Sequence, residues 1–172
     1  VLLSHNHLDH TGGLKSLREK YMRINSSALK YVHVGKGIFE DRWSNGENRN
    51  SFKSLKEELE GLGIEFIYHE QPEEIFSDVW TTGIVPRIHN ERNWSGYREM
   101  LIDGKKTEDN IPEDQSLVIK TKQGLVLVSG CGHAGIVNTL KYSRELFDNS
   151  LDVLEIYFAP FKNQQEIKSK FL

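Results

Sequence analysis

The sequence has little sulfur: a single cysteine, Cys131, in 172 residues. One thiol excludes an intrachain disulfide and any cysteine-rich zinc site, and leaves a reducing compartment, the cytoplasm, as the expected setting. Long apolar runs are also missing. The longest are strand-sized, such as residues 125–128, well short of the roughly 18 residues of a membrane span, so a soluble chain without a membrane partner is expected. Charge of one sign is missing too. With 22 basic and 25 acidic residues the formal charge is −3, and no global field draws the chain to nucleic acid. No methionine precedes Val1, so the chain is read as a piece of a longer polypeptide and gives no information on targeting. What is present is 37% hydrophobic and 10% aromatic residues, enough apolar surface for a core, in a length that suits one domain, 1–172.

Periodicity organises that length into strands and helices in alternation. Val1-Leu2-Leu3 reads as the end of a buried strand, Thr11-Gly12-Gly13 as a turn, and Leu14, Leu17 and Tyr21 recur at helical spacing. Residues 31–34 read as a strand ending at Gly35, and residues 41–50, without periodicity, as a surface loop. Leu55, Leu59 and Leu62 mark a helix closed by Gly61 and Gly63, followed by a strand over 64–68. Short β pieces follow at 79–82 and 84–85. Residues 116–121 and 125–129 form a hairpin about Lys122-Gln123-Gly124, with the second arm, apolar throughout, expected to be buried. Ile136, Leu140, Ser143 and Phe147 space a helix, 153–158 a last strand and 163–172 a short polar helix.

The chemistry concentrates in Ser4-His5-Asn6-His7-Leu8-Asp9-His10-Thr11-Gly12-Gly13. In an extended segment alternate side chains share a face, which would put His5, His7 and Asp9 on one side, with a turn at the glycines bringing His10 round to them. Imidazole and carboxylate donors without clustered thiolates suit zinc, iron or manganese in a working site rather than a closed structural one. His133 follows a strand in Gly130-Cys131-Gly132-His133-Ala134-Gly135, whose glycines permit close backbone approach, and is the natural further ligand. Cys131 reads as a small buried hydrophobe beside the site, not a ligand. Arg87 could pair with a substrate phosphate or carboxylate. Glu91 and Asp114 read as ordinary acids, mostly solvated in such positions, His89 lacks ligand spacing, His33 and His69 read as structural, and Trp80 and Trp94 as packing.

The Ser-His-x-His-x-Asp-His-Thr-Gly-Gly segment, the hairpin and the Gly-Cys-x-His-x-Gly loop together resemble the metallo-β-lactamase superfamily. Residues 82–87, 113–117 and 124–138 resemble one branch of it, usually named for a dihydropterin-methyl-ribofuranosyl-aminobenzene-phosphate synthase and containing many proteins called metal-dependent hydrolases; the similarity covers about residues 1–147. The resemblance implies an α/β fold, an αββα sandwich, here lacking its first strands. It implies one or two Zn2+ ions, with Fe or Mn as alternatives: His5, His7 and His133 on one, Asp9 and His10 beginning the second. Metals in such a pair activate a shared water for attack on an ester, phosphoester or related small-molecule substrate, with Asp9 orienting the hydroxide and a link to pterin chemistry. A phosphodiesterase or nuclease of the superfamily and a non-catalytic metal-binding fragment are the alternatives. The sequence departs from the family at two places: no histidine follows His133 to supply a late ligand, and residues 151–172 do not follow the branch's pattern. Missing strands would leave a bare sheet edge and favour self-association.

Overall fold

A computed structural model describes residues 1–94, 98–102 and 104–158. In chain order its elements are α1 (Leu8–Thr11), α2 (Leu14–Tyr21), β1 (Tyr31–Gly35), β2 (Arg42–Ser44), β3 (Glu47–Asn48), α3 (Ser51–Gly61), β4 (Glu65–His69), β5 (Glu73–Phe76) and β6 (Val79–Thr81). They continue with β7 (Glu99–Ile102), β8 (Lys105–Glu108), β9 (Ser116–Lys120), β10 (Leu125–Ser129), α4 (Ile136–Glu145) and β11 (Val153–Phe158). The helix expected over 163–172 lies outside the described residues.

Two apolar layers hold these elements. Val32 and Val34 alternate along β1, which pairs in parallel with β4, and meet Leu14 of α2 and Phe52 and Leu59 of α3. Asn50 caps α3, its side chain accepting from the Lys53 N–H. Leu2 bridges His33 in parallel, and the Leu3 N–H donates to the His33 carbonyl, so the chain's opening residues extend the β1 layer as expected. The second layer is a five-stranded sheet ordered β11-β10-β9-β6-β5. Val118, Leu125 and Leu127 point from it toward Ile136 and Leu140 of α4. A four-stranded antiparallel sheet, β3-β2-β7-β8, stands apart from both.

The structure corrects several expectations. Residues 41–50 form the β2–β3 hairpin, not an open loop: Asn45 (φ 54°) and Gly46 (φ 79°) both adopt the left-handed conformation of a two-residue turn. Residues 84–85 lie outside any strand. On α2 the residue that joins Leu14 in the interior is Arg18, whose guanidinium donates to the carbonyls of Leu62, Ser26 and Ala28, while Leu17 and Tyr21 are substantially exposed. The apolar arm β10 is not buried throughout: Val128 is 38% exposed, because α4 covers only the opposite face of the sheet.

Candidate metal centre

The loop that leaves the opening strand is fixed at three points. Gln115 takes the Leu3 carbonyl with its side chain (2.9 Å) and the Ser4 carbonyl with its backbone N–H (3.0 Å), and the Glu113 carboxylate accepts from the Asn6 N–H (3.3 Å). Glu113 is fully buried, with Arg42 Nη2 at 2.6 Å; Arg42, equally buried, also places Nε 3.1 Å from Asp109. Burial pushes the Glu113 carboxyl up despite the Arg42 charge. The unexpected hairpin therefore serves the histidine loop: β2 carries the guanidinium that neutralises its anchor.

On this support His5 Nε2 faces His7 Nδ1 at 3.0 Å, and the His5 and His133 ring centroids lie 4.6 Å apart. The second nitrogen of His5 and one nitrogen of His133 have partners of their own. His5 Nδ1 is 2.9 Å from Ser4 Oγ and 4.0 Å from Asp114 Oδ1, and His133 Nδ1 donates to the Asn93 carbonyl. His133 Nε2 is buried with no protein partner. Orienting one imidazole nitrogen leaves the lone pair of the other available to a cation, the arrangement usual for metal-bound histidine. Burial, reinforced by the neighbouring imidazoles, lowers His5 to about 2, and burial with the His133 and Arg98 charges lowers His7 to about 4. His133 is lowered by burial as well. Three neutral imidazoles that converge on one point are a set of donors in want of an acceptor, and they fit a divalent ion of the zinc type.

Asp9 and His10 stand differently from expectation. The chain bends at His5 and Asn6 and turns into α1 at Leu8, so Asp9 is carried away from His5 and His7 and is 65% exposed. Asp9 Oδ2 and Cys131 Sγ lie 3.5 and 3.4 Å from His10 Nε2. The ligand atoms of Asp9, His10 and Cys131 form one metal-competent group, and those of His5, His7, Cys131 and His133 another. Cys131 is half-buried. Burial, with Asp9 and Asp114 nearby, pushes its thiol up to about 11.

Asp114 and Glu91 are not solvated acids. Asp114 is buried and accepts from the Ala134 N–H (2.8 Å), and burial raises its carboxyl to about 7. Glu91 accepts from the Val137 and Asn138 N–H groups at the start of α4. Arg87 spends its guanidinium on the carbonyls of His133, Asn110 and Ile111, which makes it a brace for the His133 loop. Trp94 lies between Arg87 and Arg92, each guanidinium 5.1 Å from its ring centroid, and Trp80 packs edge-on against Phe147. A cavity of about 460 Å³ opens beside His7 and His133, lined also by Arg92, Trp94, Arg98 and Asp109.

Comparison with known proteins gives the family and the fold. The chain is 33% identical over 150 residues to 7,8-dihydropterin-6-methyl-4-(β-D-ribofuranosyl)-aminobenzene-5'-phosphate synthase of Methanocaldococcus jannaschii, a match covering 83% of this chain and 49% of that protein. The chain belongs to the metallo-β-lactamase superfamily. Within the superfamily it falls in the branch of that synthase, and it is 31% identical over 147 residues to an uncharacterized protein of the same organism, covering 85% of this chain and 52% of the relative. The chain spans about half the length of these relatives. A crystal structure of a metal-dependent hydrolase of the β-lactamase superfamily superimposes with a TM-score of 0.66 at 22% identity, over 97% of this chain and 60% of that one, which places the fold. No family model matches the chain. No helix among the described residues is long and apolar enough to cross a membrane.

Proposed function

We propose that the chain carries the metal centre of a hydrolase acting on an anionic ester or phosphoester, with His5, His7 and His133 holding a zinc-type ion. The observation that carries this reading is the convergence of ligand atoms of His5, His7 and His133, with His5 Nε2 3.0 Å from His7 Nδ1 and the Nδ1 atoms of His5 and His133 separately held. A divalent ion in that position would acidify a bound water and polarise the bond to be cleaved. The chain's own groups do the rest. The Asn93 carbonyl, which can only accept, sets the tautomer of His133, and Ser4 Oγ orients the His5 ring; Asp9, open to solvent, would orient a water proton; Arg92, held beside Trp94 and paired with Glu108, lines the cavity. Positive charge next to His7 and His133 suits a substrate bearing a phosphate or carboxylate.

The finer architecture is part of the same proposal. Helices α2 and α3 on the β1–β4 layer, and α4 on the outer face of the five-stranded sheet, suit the two halves of an αββα sandwich. Self-association through a free sheet edge and a pterin-related substrate, the latter suggested by the synthase relative, follow as proposals for the polypeptide as a whole. The test is metal content by plasma mass spectrometry beside a His5→Ala, His7→Ala double variant, followed by a panel of phosphomonoesters, phosphodiesters and carboxylic esters. Metal bound by the parent chain and lost in the variant is the expected result; a folded parent without metal overturns the reading.

A further inference from the structure

We propose that Asp109 selects the substrate, its carboxylate accepting a hydrogen bond from a hydroxyl or amino group of the anionic ester that enters the cavity beside His7 and His133; this rests on the metal-centre reading above. Asp109 lines that cavity together with the two histidines. Its charge opposes the lowering of both imidazoles, so the three groups act on one space. Oδ1 is engaged, taking the Ile111 N–H at 3.1 Å and lying 3.1 Å from Arg42 Nε, whereas no hydrogen bond among the described residues reaches Oδ2. Nor is Asp109 needed only as a counter-ion. Glu113 already stands 2.6 Å from Arg42 Nη2, and two carboxylates share one guanidinium. Arg92 and Arg98 bring positive charge to the same cavity, and Asp109 is the carboxylate among its described lining residues. A ligand that meets both signs carries a phosphate or carboxylate and, apart from it, a hydrogen-bond donor.

The turn that carries Asp109 is held in a conformation its own sequence resists. Ile111 has φ 56°, in the left-handed region that a β-branched residue avoids, and it precedes Pro112, which favours an extended backbone. Neighbouring groups clamp it there. Arg87 Nη2 donates to the carbonyls of Asn110 (2.6 Å) and Ile111 (2.8 Å), the Asp114 N–H donates to the Ile111 carbonyl (3.2 Å), and the Asp109 N–H to the Arg98 carbonyl (2.9 Å). Strain of this kind persists where the surroundings over-determine it, and ligand clamps are among its usual places. Here it turns the Ile111 N–H back onto Oδ1 and leaves Oδ2 to a ligand. Arg87 also holds the His133 carbonyl (3.1 Å), so one side chain sets the position of the acceptor and of a metal-centre histidine together.

Hydroxyethylphosphonate, aminoethylphosphonate and propylphosphonate test the assignment by isothermal titration calorimetry on the zinc-loaded 172-residue chain. They share the anionic group and nearly the same size, and differ in whether the far end donates a hydrogen bond. The hydroxyl and amino ligands should bind at least about tenfold tighter than propylphosphonate, the scale of a hydrogen bond to a charged group. Asp109→Asn should erase that preference: with the amide oxygen kept on the Ile111 N–H, the NH2 stands in the place of Oδ2 and can only donate. A structural role would instead weaken all three ligands alike. The comparison within the parent chain needs no variant, and it decides the matter if Asp109→Asn does not fold. Equal affinities in the parent, a preference that survives Asp109→Asn, a uniform loss in the variant, or zinc binding without affinity for any of the three overturns the Asp109 assignment and leaves the histidine site intact. A folded chain that takes up no zinc overturns the metal-centre reading and this proposal with it.

Discussion

The inner and outer halves of the candidate centre share a loop and little else. His5, His7 and His133 are buried or nearly so, and most of their ring nitrogens are accounted for by Ser4, Asn93 or a facing imidazole. Asp9, His10 and Cys131 sit further out on a single helical turn and a glycine-flanked cysteine, and Asp9 is largely in solvent. The inner half is built by interactions that exist without a metal, including an ion-paired anchor, Arg42–Glu113, reaching it from another sheet. The outer half has, besides its own donors, only a long contact from Ser4 Oγ to His10 Nδ1 (3.5 Å). Preorganisation in this site is therefore a matter of what stands behind each ligand, and the two halves should differ in how tightly they bind and in what disturbs them.

The strongest way to break the contrast is to remove the inner half's support from a distance. Arg42→Met leaves Glu113 and Asp109 buried without their counter-charge, a change that costs about 3 to 5 kcal/mol at such sites. We expect a large fall in the urea midpoint, with loss of the first metal equivalent in whatever protein remains folded; an unchanged midpoint would mean that the anchor is not holding the loop. Removing a ligand comes next. If the roughly 10 to 16 kcal/mol of a structural zinc site is shared over four donors, His133→Ala should weaken the first equivalent by about two to three orders of magnitude in isothermal titration calorimetry. Asp9→Asn, in the exposed half, should leave that equivalent near its parent value. Equal losses from the two variants would erase the distinction between the halves.

The inner half was also the more legible in the sequence. Alternation along a strand identifies His5 and His7 as neighbours, and a glycine-rich loop after a buried arm points to His133, because local pattern alone determines those placements. An extended period does not place Asp9, because the backbone bends at His5 and Asn6 and turns helical at Leu8. The Asn45-Gly46 dipeptide was a readable hairpin signal that went unused. Arg42 had no such signal, and Glu113 and Asp114 stand in a family-like segment that says nothing of their role: all three look like surface residues until the tertiary fold excludes water from them. The contact of Cys131 with His10 has no local signal, because the two lie far apart in the chain. In the same way Leu17 promised a buried helix face that Arg18 takes in fact, its guanidinium satisfied by three carbonyls.

Ser4 is the side chain that touches both halves, with Oγ 2.9 Å from His5 Nδ1 and 3.5 Å from His10 Nδ1. Ser4→Ala should lower affinity at the inner position about 10- to 100-fold, as loss of an orienting partner does, while leaving the fold intact. Thermal unfolding of the metal-free variant beside metal titration separates these effects. A Tm loss as large as that of Arg42→Met would mean that Ser4 supports the loop rather than the ligands.

The smallest expected effect is that of pH on the metal-free chain, because opposing groups cancel part of it. His5, lowered to about 2, and His7, lowered to about 4, stay neutral in the folded chain, whereas in the unfolded chain they charge near 6.5. Between about 6.5 and 4 the unfolded state therefore holds protons that the folded state lacks, and these groups make stability fall as pH falls. His133 and His33, both lowered by burial, act with the same sign. Asp114 opposes them: raised to about 7 by burial, it is protonated in the folded chain well above 3.8, where the unfolded carboxyl takes its proton, and it favours the folded state as pH drops through that interval. Glu113, also raised by burial, acts in the same direction as Asp114. Four imidazoles against two carboxyls leave a net loss of stability in acid, so the urea midpoint of chelator-treated protein should be lower at pH 4.5 than at pH 6.5. A midpoint that rises with acid would mean that the carboxyls beneath the loop outweigh the histidines above it, and that the inner half is not the neutral, preformed partner in the contrast.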